Sequence, residues 1–148
     1  MASHTDLDFD SVARIGLLFL DGDSLEDVLL DKYGHPDYDF DKFNNCKITV
    51  MRIEKINPTL SLTAVLWQRR PDDPCFAVPV VAGNALPREG YGISPIPAPM
   101  ERAFSGDFGP VLAREGDSVS RYYPVKNSDA EIVGVLELLS THKERNDI

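Results

Sequence analysis

Ser118-Val-Ser-Arg-Tyr-Tyr-Pro-Val-Lys-Asn-Ser-Asp-Ala-Glu-Ile-Val-Gly-Val-Leu-Glu-Leu-Leu139 reads as two strands around a polar turn. The first, Ser118–Lys126, alternates side chains with a period of two, and Asn127–Ala130 carries the residue types that reverse a chain. The second, Glu131–Leu139, is apolar on both faces: Val133, Val135 and Leu139 on one, Ile132, Leu136 and Leu138 on the other. A sheet apolar on both sides must be covered on both sides.

Val111–Arg114 reads as a short strand before the hairpin. Leu60–Arg70 and Cys75–Ala82 form an earlier hairpin across the turn Pro71-Asp-Asp-Pro74. Five strands in hairpins predict one antiparallel sheet in an α+β fold. Between the hairpins, Gly83–Pro99 holds four prolines and three glycines and is expected to cover one sheet face irregularly, ending in a helical turn at Met100–Phe104. The other face falls to helices. Residues 39–55 read as the firmest, with Phe40, Phe43, Ile48, Met51 and Ile56 on the buried side and Val50 and Ile53 beside it. Residues 6–33 read as two helices broken at Asp21-Gly22-Asp23. Leu7, Val12, Ile15 and Phe19 mark the apolar face of the first, Ser24 begins the second, and Gly34-His35-Pro36 ends it.

The 148 residues, 43% hydrophobic and 26% charged, suit one domain over 1–148. Within it, residues 1–5 read as a tag remnant, 6–38 as an N-terminal helical segment and 39–141 as the core. No secretory signal or spanning segment is expected. The net charge of −9 lies wholly in residues 1–41, with eleven acids against Arg14 and Lys32; the remainder is balanced. No basic stripe exists to neutralise phosphates, so a nucleic-acid partner is not expected. Cys46 and Cys75 lack metal or redox spacing and read as packing residues, with a single disulfide as the alternative.

The passage Arg121-Tyr-Tyr-Pro-Val, its polar turn and Val133-Gly-Val-Leu-Glu-Leu138 resembles the terminal hairpin of Cache/PDC sensor domains, PAS-like extracytoplasmic modules of bacterial receptors. With the preceding helix and first hairpin, the similarity extends over about residues 40–140. It implies a PAS-like five-stranded antiparallel sheet, N-terminal helices on one face, and a small organic ligand under the irregular segment on the other. It further implies a periplasmic position in an inner-membrane receptor (histidine kinase, chemoreceptor or cyclic-dinucleotide enzyme) whose effector belongs to the same parent chain. The amino-acid signature of double Cache modules is missing, so ligand identity does not carry over.

Enzyme signatures are also missing: no GxSxG, GxxxxGK[ST], HExxH or GxGxxG occurs. Asp37, Asp39 and Asp41 imitate a calcium loop, but Lys42 replaces the turn glycine and Ile48 the bidentate glutamate. Neither catalysis, a metal nor a cofactor is expected. Candidate ligand-binding residues are Arg121 and Tyr123 on the odd-numbered face of Ser118–Lys126, and Trp67 and Arg69 on the first strand. Tyr91 with Arg88 in the cover and Arg102 on the short helix complete the set. Guanidinium forks and planar walls suit a carboxylate-bearing metabolite. The rival expectation is a cytoplasmic PAS-type interaction module without ligand. In either, the N-terminal helices are candidates for homodimer contact.

Overall fold

The computed structural model describes residues 4–34, 40–57, 61–83, 94–107, 112–113 and 118–140. Helices α1 (His4–Phe19), α2 (Gly22–Gly34) and α3 (Phe40–Glu54) precede strands β1 (Leu62–Arg69), β2 (Phe76–Ala82) and β3 (Ser94–Pro95). Helix α4 (Ala98–Phe104) then leads to β4 (Leu112–Ala113), β5 (Val119–Lys126) and β6 (Ile132–Ser140). The sheet is antiparallel with order β3-β2-β1-β6-β5-β4. All five expected strands are present in the expected α+β layout. The sixth is an addition: Ser94–Pro95, in the stretch expected to be irregular, pairs with Phe76 and Ala77.

Both sheet faces are covered. On one, Phe9, Val12 and Ala13 of α1, Leu25 and Val28 of α2, and Cys46, Val50 and Ile53 of α3 pack on Leu62, Ala64, Leu66, Tyr123, Leu136 and Leu138. On the other, Met100 and Ala103 of α4 pack on Val65, Trp67, Ala77, Tyr122 and Val135. Each fully buried large apolar side chain contributes roughly 1.5–3 kcal/mol. A bulge in β2, where Leu66 faces Val81 but Trp67 faces Pro79, sends Val80 and Val81 both to the helical side.

The helices turn differently from expectation. In α3 the buried stripe is Cys46, Val50 and Ile53, while Ile48 is 49% exposed. In α1 it is Phe9, Val12, Ala13 and Gly16, while Ile15, Leu18 and Phe19 are exposed. Both helices carry more apolar residues than one face can hold, and size does not decide which turn inward, since Phe9 and Ile53 are buried while Phe19 and Ile48 are exposed. At Gly16 a Cβ would lie 2.7 Å from Ile53 Cγ1, so α1 and α3 meet there almost backbone to side chain.

Helix α2 also begins earlier than expected. Asp21 caps it: its Oδ1 accepts from the Asp23 and Ser24 amides, and its Oδ2 accepts from Ser24 Oγ. Ser24 thus donates to the cap instead of serving as it. The helix start abuts the β5–β6 turn, where Asp23 Oδ1 accepts from the Ser128 amide and hydroxyl. Asn127 organises that turn, its Oδ1 accepting from the amides of Asp129 and Glu131. Gly134 lets two layers close together: a Cβ there would meet Leu25 Cδ2 at 2.8 Å and Trp67 O at 2.9 Å. Pro124 stands opposite Val135 of β6, and among the described residues β5 has no strand on its other edge at that point.

Cys46 and Cys75 are free thiols, the first buried and the second exposed. Burial, followed by the nearby Asp21 charge, pushes Cys46 up to about 11.

Candidate functional site

The alternation of β1, β5 and β6 decides which side chains meet. Trp67 points from β1 toward α4 and is 2% exposed. Its indole Nε1 donates to Glu137 Oε1 at 2.8 Å, and Ser120 Oγ donates to Glu137 Oε2 at 2.5 Å. Glu137 is fully buried, with Val65 opposite it on β1 and Tyr122 opposite it on β5. A carboxylate, an indole and a hydroxyl from three adjacent strands therefore form a polar knot in an otherwise apolar layer. Burying such a carboxylate is costly unless its oxygens are engaged, and here each accepts a hydrogen bond.

Arg69, two residues beyond Trp67, marks the rim on the same side. Its guanidinium forms a forked pair with Glu101 of α4, at 3.0 and 3.1 Å, and donates to Pro74 O at 2.9 Å. It also lies 4.5 Å from the Phe104 ring centroid. Hydrogen bonding from Arg69 holds the Glu101 carboxyl below the ordinary carboxylate range. This bidentate arrangement fastens α4 to the sheet edge.

Arg121 and Tyr123 face the opposite way, into the helical layer. Tyr123 is fully buried and its hydroxyl donates to Asp10 Oδ1 of α1 at 2.8 Å; Arg121 Nε lies 3.8 Å from the same oxygen. The carboxylate near this guanidinium is thus the chain's own. Arg102 is exposed, away from Met100 and Ala103, which meet the sheet. Tyr91 and Arg88 lie outside the described residues. The candidates therefore divide: Trp67 and Arg69 share one side of the sheet, Arg121 and Tyr123 share the other, and Arg102 joins neither.

Glu137, Ser120 and Asp10 were not among the sequence candidates. Glu137 carried a readable signal, as the one charged residue between Ile132 and Ser140. Asp10 carried none, because its acidic neighbours Asp6 and Asp8 look the same in sequence.

Helix α3 grips the end of β2. Lys47 Nζ donates to Ala82 O at 2.7 Å and Gly83 O at 2.6 Å, while Glu54 Oε2 accepts from the Ala64 amide at 2.8 Å. A Cβ on Gly83 would fall 1.9 Å from Glu54 Oε2, so any other residue there would have to displace the carboxylate from the Ala64 amide. On the outer surface an open cleft of about 550 Å³ runs between α1 and α3, lined by hydrocarbon with Asn45, Thr49 and Arg52.

No protein-family model matches the chain, and no curated protein matches it in sequence. Among solved structures it is similar to a GAF domain, at 9% identity and TM-score 0.49 over 82% of this chain and 76% of that one. It is also similar to the ligand-binding domain of the Campylobacter jejuni chemoreceptor Tlp3, solved in complex with L-valine. There the identity is 10% and the TM-score 0.45, over 92% of this chain and 54% of that one.

Proposed function

We propose that this chain is a non-catalytic, small-molecule-sensing module that passes its conformational state to an effector in the same parent chain. The observation that carries this reading is the buried Glu137–Trp67–Ser120 knot beneath α4. A layer needed only for cohesion is made most cheaply from hydrocarbon, whereas a polar group held in place inside it can orient a small organic molecule. The Arg69–Glu101 fork and the Arg69–Phe104 contact hold α4 over this region. A ligand that prefers one placement of α4 shifts the population toward it. The resemblance of the terminal hairpin to Cache/PDC modules supports an extracytoplasmic position in a bacterial receptor; spanning segments flanking this region in the full gene are the expected finding.

Trp67 is the only tryptophan, so its emission reports on the proposed site. Titration with small organic acids, amino acids and amines is expected to find a compound that shifts this emission and raises the melting temperature. At about a hundredfold excess over Kd, the gain in stability is about 2.7 kcal/mol. Unchanged emission and melting across the panel sink the sensing role.

A second reading, an interaction module dimerising through the N-terminal helices, has its own observation. Leu18 and Phe19 at the end of α1 are 81% and 72% exposed, and clustered exposed apolar side chains mark contact surfaces. A stable dimer in light scattering that Leu18→Ser dissociates is the result favouring it.

A further inference from the structure

The apolar residues that α1 and α3 leave outside the core line a common cleft. Ile15 and Phe19 of α1 form one wall, Ile48 and Ile56 the other, and Gly16 with Ile53 the floor where the helices meet. Its volume of about 550 Å³ falls within the range of roughly 300–1,000 Å³ typical of small-molecule sites.

The polar groups of the lining are unequal. Asn45 Nδ2 donates to Ser24 Oγ, and Thr49 Oγ1 donates to Asn45 O, one turn earlier in the helix. Among the described residues Arg52 is the only charged residue of the lining, and its guanidinium pairs with none of their carboxylates. Among the described residues the lining is thus hydrocarbon with one unpaired cation and no acid, a composition complementary to an anionic amphiphile. We propose that the α1–α3 cleft binds a free medium-chain carboxylate, its alkyl chain along Ile15, Phe19 and Ile48 and its head group on Arg52. The proposal goes beyond the sensing site under α4 and lies across the sheet from it.

Decanoate, kept below its micelle concentration, is the probe. Titrated into the full chain and followed by amide NMR, it is expected to move Gly16, Thr49 and Arg52 first while leaving Trp67 emission unchanged. Decyltrimethylammonium, with the same chain and opposite charge, is expected to bind about fivefold more weakly or worse. Arg52→Gln is expected to weaken decanoate about fivefold without unfolding the protein, since the side chain is exposed. Ile48→Glu, which sets an acid in the wall at a half-exposed helical position, is expected to weaken it about tenfold.

Equal affinity for the two probes, unaltered decanoate binding by Arg52→Gln, or shifts confined to the α4 side overturn the proposal. A stable dimer whose α1–α3 amides are covered overturns it too. Decanoate binding here with a silent Trp67 across the metabolite panel leaves the cleft assigned and sinks the sensing site; the opposite pattern does the reverse.

Discussion

Glu137 shows how one residue ties three strands together. It accepts from Trp67 of β1 and Ser120 of β5 while belonging to β6. Replacing it with alanine leaves two buried donors without that acceptor and opens a void. Glu137→Ala is therefore expected to cost about 2–4 kcal/mol in urea unfolding and to alter Trp67 emission. Glu137→Gln, which keeps a carbonyl acceptor, is expected to cost less. An alanine variant within about 0.5 kcal/mol of the parent removes the knot from any account of stability. Cys46 gives a second test, through pH. Its thiol has an ordinary value of 9.0 and is pushed up to about 11 in the fold. Below pH 9 it is protonated in both states and makes no difference. Between the two values the unfolded chain sheds the proton while the folded one keeps it, so stability falls by about 2–3 kcal/mol in total. Cys46→Ala is expected to flatten that part of the pH–stability curve, and an identical slope in both proteins refutes the assignment. At this scale the sequence was half legible. Trp67 and Tyr123 announced themselves as large aromatics on alternating strands. That they point to opposite sides depends on how β1 and β5 pair with β6, which neither strand reveals alone.

Elements were more legible than their orientation. Every long strand and helix follows from periodicity, because patterns of 2 and 3.6 leave distinct traces over eight or more residues. Rotation about a helix axis is weaker information when apolar residues exceed one face. In α3 the core took Cys46, Val50 and Ile53 and left Ile48 outside; in α1 it took Phe9, Val12 and Ala13, set Gly16 against Ile53 of α3, and left Ile15 and Phe19. Ile15, Phe19 and Ile48, left outside, line the outer cleft. The start of α2 differs from expectation at a point where two cap types stand side by side. Asp21 holds both the Asp23 and Ser24 amides, which Ser24 could not do from inside the first turn. Asp21→Ala is accordingly expected to destabilise the protein by about 1 kcal/mol. The same change in Ser24, a donor to that cap, is expected to cost less. Equal costs, measured by chemical denaturation, return the cap to Ser24.

The whole molecule is two unequal layers divided by a sheet whose middle pair, β1 and β6, comes from distant parts of the chain. Predicting hairpins leaves open how they join, so this central pairing was the least legible global feature, though it decides that Glu137 meets Trp67. It also sets how the molecule answers mechanical load. Strand β6 is zipped along most of its length on both edges, to β1 and to β5. Helix α1 meets the sheet through a few side chains and the Tyr123–Asp10 bond. Tension applied between α1 and the end of β6 would thus strip the first helix at low force, whereas drawing β6 out means shearing two ladders at once. In an optical trap the molecule should yield in two steps, a compliant one and then a stiff one, which makes the sheet a force-bearing strut and α1 its detachable cover.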